Sequence, residues 1–261
     1  MKKERYNFND LIELMALLRS DNGCPWDREQ THETLKKYLI EEVYEVLEVI
    51  DSGDKKKMCE ELGDLLLQIV FHAKIASEEK SFDINDVITG LCKKMIDRHP
   101  HIFGEVIAET SEQVLDNWEA IKKKEKKLVY HTDVLRDIPN NLPALMRSYK
   151  VQQKAASVGF DWDDVKCVFD KIDEEIGELK EAYKSGDDEK INEELGDALF
   201  AVVNLSRFVR IHPELALTNT INKFINRFEY IEKNATKQGK KIDDMTLKEM
   251  DELWEQSKTV L

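Results

Sequence analysis

The residues best suited to chemistry are carboxylates set in two groups of four. In the first group Glu42 and Glu45 stand three apart, as do Glu61 and Asp64, with Ser52-Gly53-Asp54 between the pairs. A spacing of three puts both side chains of a pair on one helix face, about a turn apart. Counted from Gly53, one pair lies 8 and 11 residues back and the other 8 and 11 forward. If Ser-Gly-Asp joins two antiparallel helices, a rise of about 1.5 Å per residue brings both pairs to the same height. Four acids then face one another across one helix interface. Glu175, Glu178, Glu194 and Asp197 repeat the pattern around Gly186, again at 8 and 11 residues.

Four ionised carboxylates cannot share such a space unaided, because repulsion and desolvation would protonate some of them. A hard divalent cation removes the conflict, and oxygen ligands suit magnesium, with manganese as the alternative. Magnesium takes few carboxylates and completes its shell with water and phosphate oxygens, so the ligand expected at such a cage is a polyphosphate. The plain alternative is a pair of solvated acidic helix faces. Two features favour the cage. Asp64 and Asp197 open into apolar runs (Leu65 to Phe71 and Ala198 to Val203), and all four acids occur twice.

Cations follow the same doubling. Lys94 and Arg98 lie four apart on one expected helix, and so do Lys223 and Arg227; each pair is a candidate phosphate grip. Trp118 and Trp254 suit either base stacking or core packing. Lys122 and Lys258 are weaker candidates, the former inside a run of lysines. Two rivals stand against the cage. A di-iron carboxylate bundle needs two E-x-x-H motifs, and the only such spacing is Glu29 to His32, outside the repeated acids. A non-catalytic acidic helical scaffold, or a nucleotide-binding regulator, would carry acids that do no chemistry.

The elements that must position these residues are themselves duplicated. Glu41-Glu42-x-x-Glu45, Ser52-Gly53-Asp54 and Glu60-Glu61-Leu62-Gly63-Asp64 all recur 133 positions later. Lys94 and Arg98 recur at a shift of 129; Trp26-Asp27 and Trp118-Glu119-x-x-Lys122 recur at 136. The chain is therefore expected as a tandem duplication. An N-terminal helical domain spans 1–127, a linker 128–143 and a C-terminal helical domain 144–261, the junction marked by turn formers such as Pro139, Asn140, Asn141 and Pro143. Periodicity predicts helices from Phe8 to Arg19, Thr31 to Ile50 and Lys55 to Ser77. A fourth is capped by Asp83 and ends near Arg98, and a fifth starts at Thr110 or Ser111. No segment alternates in the way a sheet requires, so the fold class is all-α, four or five helices to each half.

A net charge of −14 over 261 residues argues against direct nucleic-acid binding. No apolar run reaches the ~20 residues of a membrane span, and the N-terminus lacks a signal-peptide core, so the expected compartment is the cytoplasm. The four scattered cysteines are expected as single buried or half-buried thiols.

The motif Glu-Glu-x-x-Glu followed by Glu-x-x-Asp resembles the signature of the all-α nucleoside triphosphate pyrophosphatases, and the whole chain resembles their two-domain MazG members. The most specific segments are Gly23-Cys24-Pro25-Trp26-Asp27, Arg98-His99-Pro100-His101-Ile102-Phe103, Ile138-Pro139-x-x-Leu142-Pro143-Ala144-Leu145 and Val158-Gly159-Phe160-Asp161-Trp162. The resemblance implies a four-helix core in each half, a homodimer, and magnesium-dependent cleavage of many nucleoside triphosphates between the α and β phosphates. By the same resemblance Glu175, Glu178, Glu194 and Asp197 are metal ligands, and Lys171, Lys223, Arg227, Trp254 and Lys258 contact the nucleotide. The first half offers Glu42, Glu45, Glu61, Asp64, Lys94, Arg98, Trp118 and Lys122. Glu41 and Glu174 are implied as water-orienting groups. One departure stands out: the first-half counterpart of Lys171 is Tyr38, with Lys37 beside it as a substitute. The second half is thus expected to be the more complete site.

Overall fold

The computed structural model describes residues 2–260, and among these there are helices and no strands. The chain divides into two compact units, Met1–Glu125 and Lys126–Leu261. The first holds α1 (Phe8–Leu18), α2 (Pro25–Glu29), α3 (His32–Ser52), α4 (Lys55–Glu78), α5 (Ile84–Asp97), α6 (Pro100–Phe103) and α7 (Ser111–Glu125). The second holds α8 (His131–Arg136), α9 (Ala144–Ala156), α10 (Val165–Ser185), α11 (Asp188–Phe208), α12 (Pro213–Lys237), a 3-10 turn at Ile242–Asp244 and α13 (Leu247–Val260). The longer helices match the periodic segments. The short ones, α2, α6 and α8, offer too few residues for a period to show.

Part of the stretch expected as a linker is structured. Asp133 accepts hydrogen bonds from the backbone N–H groups of Val129 and Tyr130 at 3.2 and 2.8 Å, nucleating α8, which packs on α9. The cysteines differ in part from expectation. All four are free, and Cys24 and Cys167 are half-buried, but Cys59 and Cys92 are exposed on α4 and α5.

Each unit is built around one helical hairpin, α3–α4 or α10–α11. The turn chemistry is the same in both. Gly53 and Gly186 take left-handed backbone (φ 70° and 69°), which ends the first helix without a Cβ penalty. Asp54 then caps the second helix, accepting from the Lys56 and Lys57 N–H groups at 2.9 and 3.1 Å. Asp187 does so with Glu189 and Lys190, at 3.1 and 3.2 Å. Three residues thus reverse the chain and fix the register of everything on the two helices.

In the first unit the core packs against α4 of the hairpin, and in the second α9 packs on α11. In the first unit Met15, Leu35, Val70, Phe71, Ala73, Ile75 and Ile84 form the core, with Tyr38 and Leu67 at its margin. Each large side chain buried there contributes about 1.5–3 kcal/mol. Arg19 fastens α1 to the end of α4: its guanidinium donates to Glu78 at 2.7 Å, to the Gln30 carbonyl at 3.1 Å and to the Asp27 carbonyl, over the Phe71 ring. Arg207 does the corresponding work on α11, donating to Asp161 at 2.8 Å. In the second unit Ile231, Ala235, Met245 and Leu253 join α12 to α13.

A side chain at either turn glycine is expected to cost stability through its backbone alone. No heavy atom would crowd a Cβ at Gly186, so a Gly186→Ala change costs only its left-handed backbone, about 1–2 kcal/mol. Chemical denaturation should show that loss; an unchanged midpoint would mean the turn does not hold the hairpin.

Candidate metal and nucleotide site

The hairpin register does what the spacing requires. One carboxylate oxygen from each of Glu42, Glu45 and Glu61 lies within 4.8 Å of the others, and the same is true of Glu175, Glu194 and Asp197. Each unit therefore gathers three of its four acids tightly. Asp64 and Glu178 complete the sets at the edge, near enough that Asp64 acts on Glu42 and Glu178 on Glu194 through their charge. Burial is uneven. Glu175 and Glu194 are 6% and 9% exposed, whereas Glu45 and Asp197 face solvent. The apolar runs beside the aspartates are not wholly buried either: Leu62, Leu66 and Ile69 on α4 and Leu195, Leu199 and Val202 on α11 are exposed.

Crowding shows in the protonation of these groups. Burial, then the Asp64 and Glu45 carboxylates, push Glu42 above the ordinary glutamate range, against a hydrogen bond from Gln68. Burial and then Glu45 and Asp64 push Glu61 up. Burial and then Glu178 push Glu194 up, with the Lys190 charge opposing. These are all-oxygen sites short of positive charge, and the donor set fits a hard divalent cation.

The second unit supplies a cation of its own. Lys171 Nζ lies 2.6 Å from Glu175 Oε1 and 3.0 Å from Glu174 Oε1, and those two carboxylates hold the ammonium well above the ordinary lysine value. In the first unit the corresponding Tyr38 packs against the core and meets Trp26 edge-on at 5.9 Å. Lys37 rests over the Tyr38 ring, 4.6 Å from its centre. Glu41 is exposed on α3.

Two lysines escaped the motif reading. Lys190 lines a shallow groove with Glu174, Gly177, Glu178, Glu181 and Glu194. Its counterpart at the shift of 133 is Lys57, so the repeat itself carried that signal.

The remaining candidates form a second group in each unit. Arg227 lies 5.5 Å over the Trp254 ring, and Asn219, Asn222, Lys223 and Asn226 share its groove along α12. Trp254 is half-buried at the edge of the α12–α13 core, which suits a platform under Arg227. Lys258 is paired with Glu255 on its own helix. In the first unit Arg98 lies 5.2 Å over Trp118, with Lys94 exposed one turn earlier and Lys122 half-buried on α7. The acids stand on α10 and α11, whereas α12 packs on α9 and α13. Glu29 closes α2 and His32 opens α3, where His32 stacks on His72 (Nδ1 to Nδ1 2.7 Å), so the E-x-x-H spacing spans a break between helices and is no di-iron motif.

Comparison with known proteins agrees with this doubling. The profile of the MazG nucleotide pyrophosphohydrolase domain matches residues 30–103 and again 165–231, one segment over each acid-bearing hairpin. The chain belongs to the MazG family. It is 45% identical to the nucleoside triphosphate pyrophosphohydrolase/pyrophosphatase MazG of Thermotoga maritima, over 99% of this chain and 98% of that one. It is 43% identical to the nucleoside triphosphate pyrophosphohydrolase of Escherichia coli K12, over 95% of each. A Bacillus subtilis protein, YabN, is 47% identical over 97% of this chain, which covers 52% of YabN. The MazG segments contain all eight acids, Lys94, Arg98, Lys171, Lys223 and Arg227, whereas both tryptophans lie outside them. No helix among the described residues is long and apolar enough to cross a membrane.

A cation in these clusters should stabilise the fold by mass action, by about 2.7 kcal/mol at a hundredfold excess over Kd. Glu42, Glu61 and Glu194 bind protons more readily folded than unfolded, so they weaken the metal-free fold at neutral pH and that penalty fades as pH falls. Protons and metal compete for the same oxygens. Magnesium is therefore expected to raise the melting temperature more at pH 7.5 than at pH 5, and equal shifts at both would place the metal elsewhere.

Proposed function

We propose that the chain hydrolyses nucleoside triphosphates, across a broad range of bases and sugars, to monophosphate and pyrophosphate with magnesium, mainly in its second unit. The observation that carries this is the gathering of Glu175, Glu194 and Asp197 within 4.8 Å beside a lysine already bonded to Glu175. Manganese fits the same oxygens.

Glu175, Glu194 and Asp197 would hold the cation, with Glu178 completing the set. When bound, it supplies positive charge to the phosphate oxygens and makes nearby water more acidic. Lys171, now paired with Glu175, would meet the oxygens of the incoming triphosphate. Glu174 then orients a water, accepting its proton as the water oxygen bonds to the α phosphorus. The bond from that phosphorus to the bridging oxygen breaks, and pyrophosphate leaves. Lys223 and Arg227 grip phosphate oxygens, Trp254 holds the Arg227 plane, and Lys258 is a peripheral contact. In the first unit Glu42, Glu45, Glu61 and Asp64 also suit a cation, but Tyr38 stands where the lysine would be. Glu41 there would be the counterpart of Glu174.

Family membership and the exposed stripes on α4 and α11 support a homodimer. Leu62, Leu66 and Ile69 repeat as Leu195, Leu199 and Val202, apolar rows that their own units leave uncovered. Sedimentation should therefore give twice the 30.4 kDa of one chain; a stable monomer would leave those rows unexplained. An acidic chain with no membrane-spanning helix among its described residues suits a cytoplasmic enzyme, with no direct nucleic-acid partner.

Product analysis tests the chemistry. Monophosphate and pyrophosphate should appear only with metal, and Asp197→Asn should lower kcat by about 10²–10³-fold, with Asp64→Asn changing it far less. Diphosphate with orthophosphate, or undiminished turnover in Asp197→Asn, would sink this reading.

A further inference from the structure

The two arginine–tryptophan pairs are the same device in two different states. In the second unit the Arg227 guanidinium lies over Trp254, its Nε is buried without a partner, and it makes no ion pair among the described residues. In the first unit Arg98, 8% exposed, lies over Trp118 in the same way. There, however, an anion is already present. Arg98 Nε donates to Glu125 Oε1 and Oε2 at 3.4 and 3.2 Å, and Nη2 donates to Oε2 at 2.5 Å. This is the fork-on-carboxylate geometry that guanidinium also offers to phosphate.

We propose that Lys94, Arg98 and Trp118 form a second polyphosphate-binding site, which Glu125 keeps closed by lying in the ligand's place. The two cations that would grip phosphate both act on this one carboxylate: Arg98 first, then Lys94, hold Glu125 below the ordinary glutamate range. The occupant is specific to the first unit. At the shift that relates Trp118 to Trp254, the counterpart of Glu125 is Leu261, whose side chain is apolar and cannot take the place of the glutamate carboxylate. The two partners are also unequally held. Arg98 is fixed by burial and by its ring, whereas Glu125 is the last residue of α7 and its side chain is 35% exposed. A polyphosphate offering several oxygens can replace Glu125 without uncovering a buried charge, because the released carboxylate passes into water.

This rests on the reading of the second unit as a triphosphate site, and the test separates the two. Full-length protein, with Asp197 intact so that the second unit keeps its ligand set, is titrated calorimetrically with inorganic tripolyphosphate in magnesium, with and without Glu125→Gln. Glu125→Gln should add a second class of sites per chain, at least tenfold tighter than any first-unit binding with Glu125 intact. Removing Arg98 as well, by Arg98→Gln, should abolish that class and leave the first. Should Glu125→Gln fold poorly, Glu125→Asp, too short to span the same fork, should add the class more weakly. An unchanged isotherm in both variants, or a new class that survives Arg98→Gln, overturns the proposal. Absence of the class that Arg98→Gln should leave, with the Arg98-dependent class still appearing, would fault the reading of the second unit and leave this one standing.

Discussion

Repulsion among carboxylates at the middle of a helical hairpin is the interaction on which the rest depends. Two helices joined by three residues bring four acids to one height. Lys171, Lys190 and Gln68 relieve the resulting field only in part, and burial with the neighbouring carboxylates still makes Glu42, Glu61 and Glu194 hold their protons too tightly. A protein gains no stability by this arrangement; it accepts a local cost that only a cation can lift. The surrounding apparatus makes sense as support for that cost: the caps, the arginine fastenings of Arg19 and Arg207, and the core packed against α4.

The two units resolve the same field differently. In the second, Lys171 provides a movable charge that can leave Glu175 when something better arrives. In the first, Tyr38 has turned the equivalent position over to packing, and the free charge at the arginine is cancelled by Glu125. Duplication has thus kept the frame and the acids while changing how the counter-charges are supplied. One half has its cations poised and the other has them occupied.

Much of this was legible in the chain because helices convert spacing into direction. The paired acids, the turn, the caps at Asp83 and Asp54 and the long helices all follow from local rules. What stayed hidden depends on distant partners. Glu125 sits in a lysine-rich run and reads as solvated, yet its partner lies 27 residues earlier and is met only through tertiary packing. Trp254 suits base stacking or core packing by its type alone, and only tertiary packing sets Arg227 over its ring. The leucines beside the acids promised burial from their apolarity, but one face of a long helix stays in water when its own unit offers nothing to cover it. Lys190 and its counterpart Lys57 stand outside the acid motif, and only the 133-residue repeat relates them.

The shift between the two copies carries a final consequence. It is constant at 133 from Glu41 to Asp64, and changes to 129 and 136 on either side. Each residue added to a helix turns everything beyond it by about 100°, so one insertion between an acid pair and the glycine would swing that pair out of the cluster. Outside the hairpin, lengths could drift, because loops absorb an extra residue without rotating anything. The stretch from the first acid to the last behaves as a combination lock: its length is set by angle, and the chain around it is free to vary.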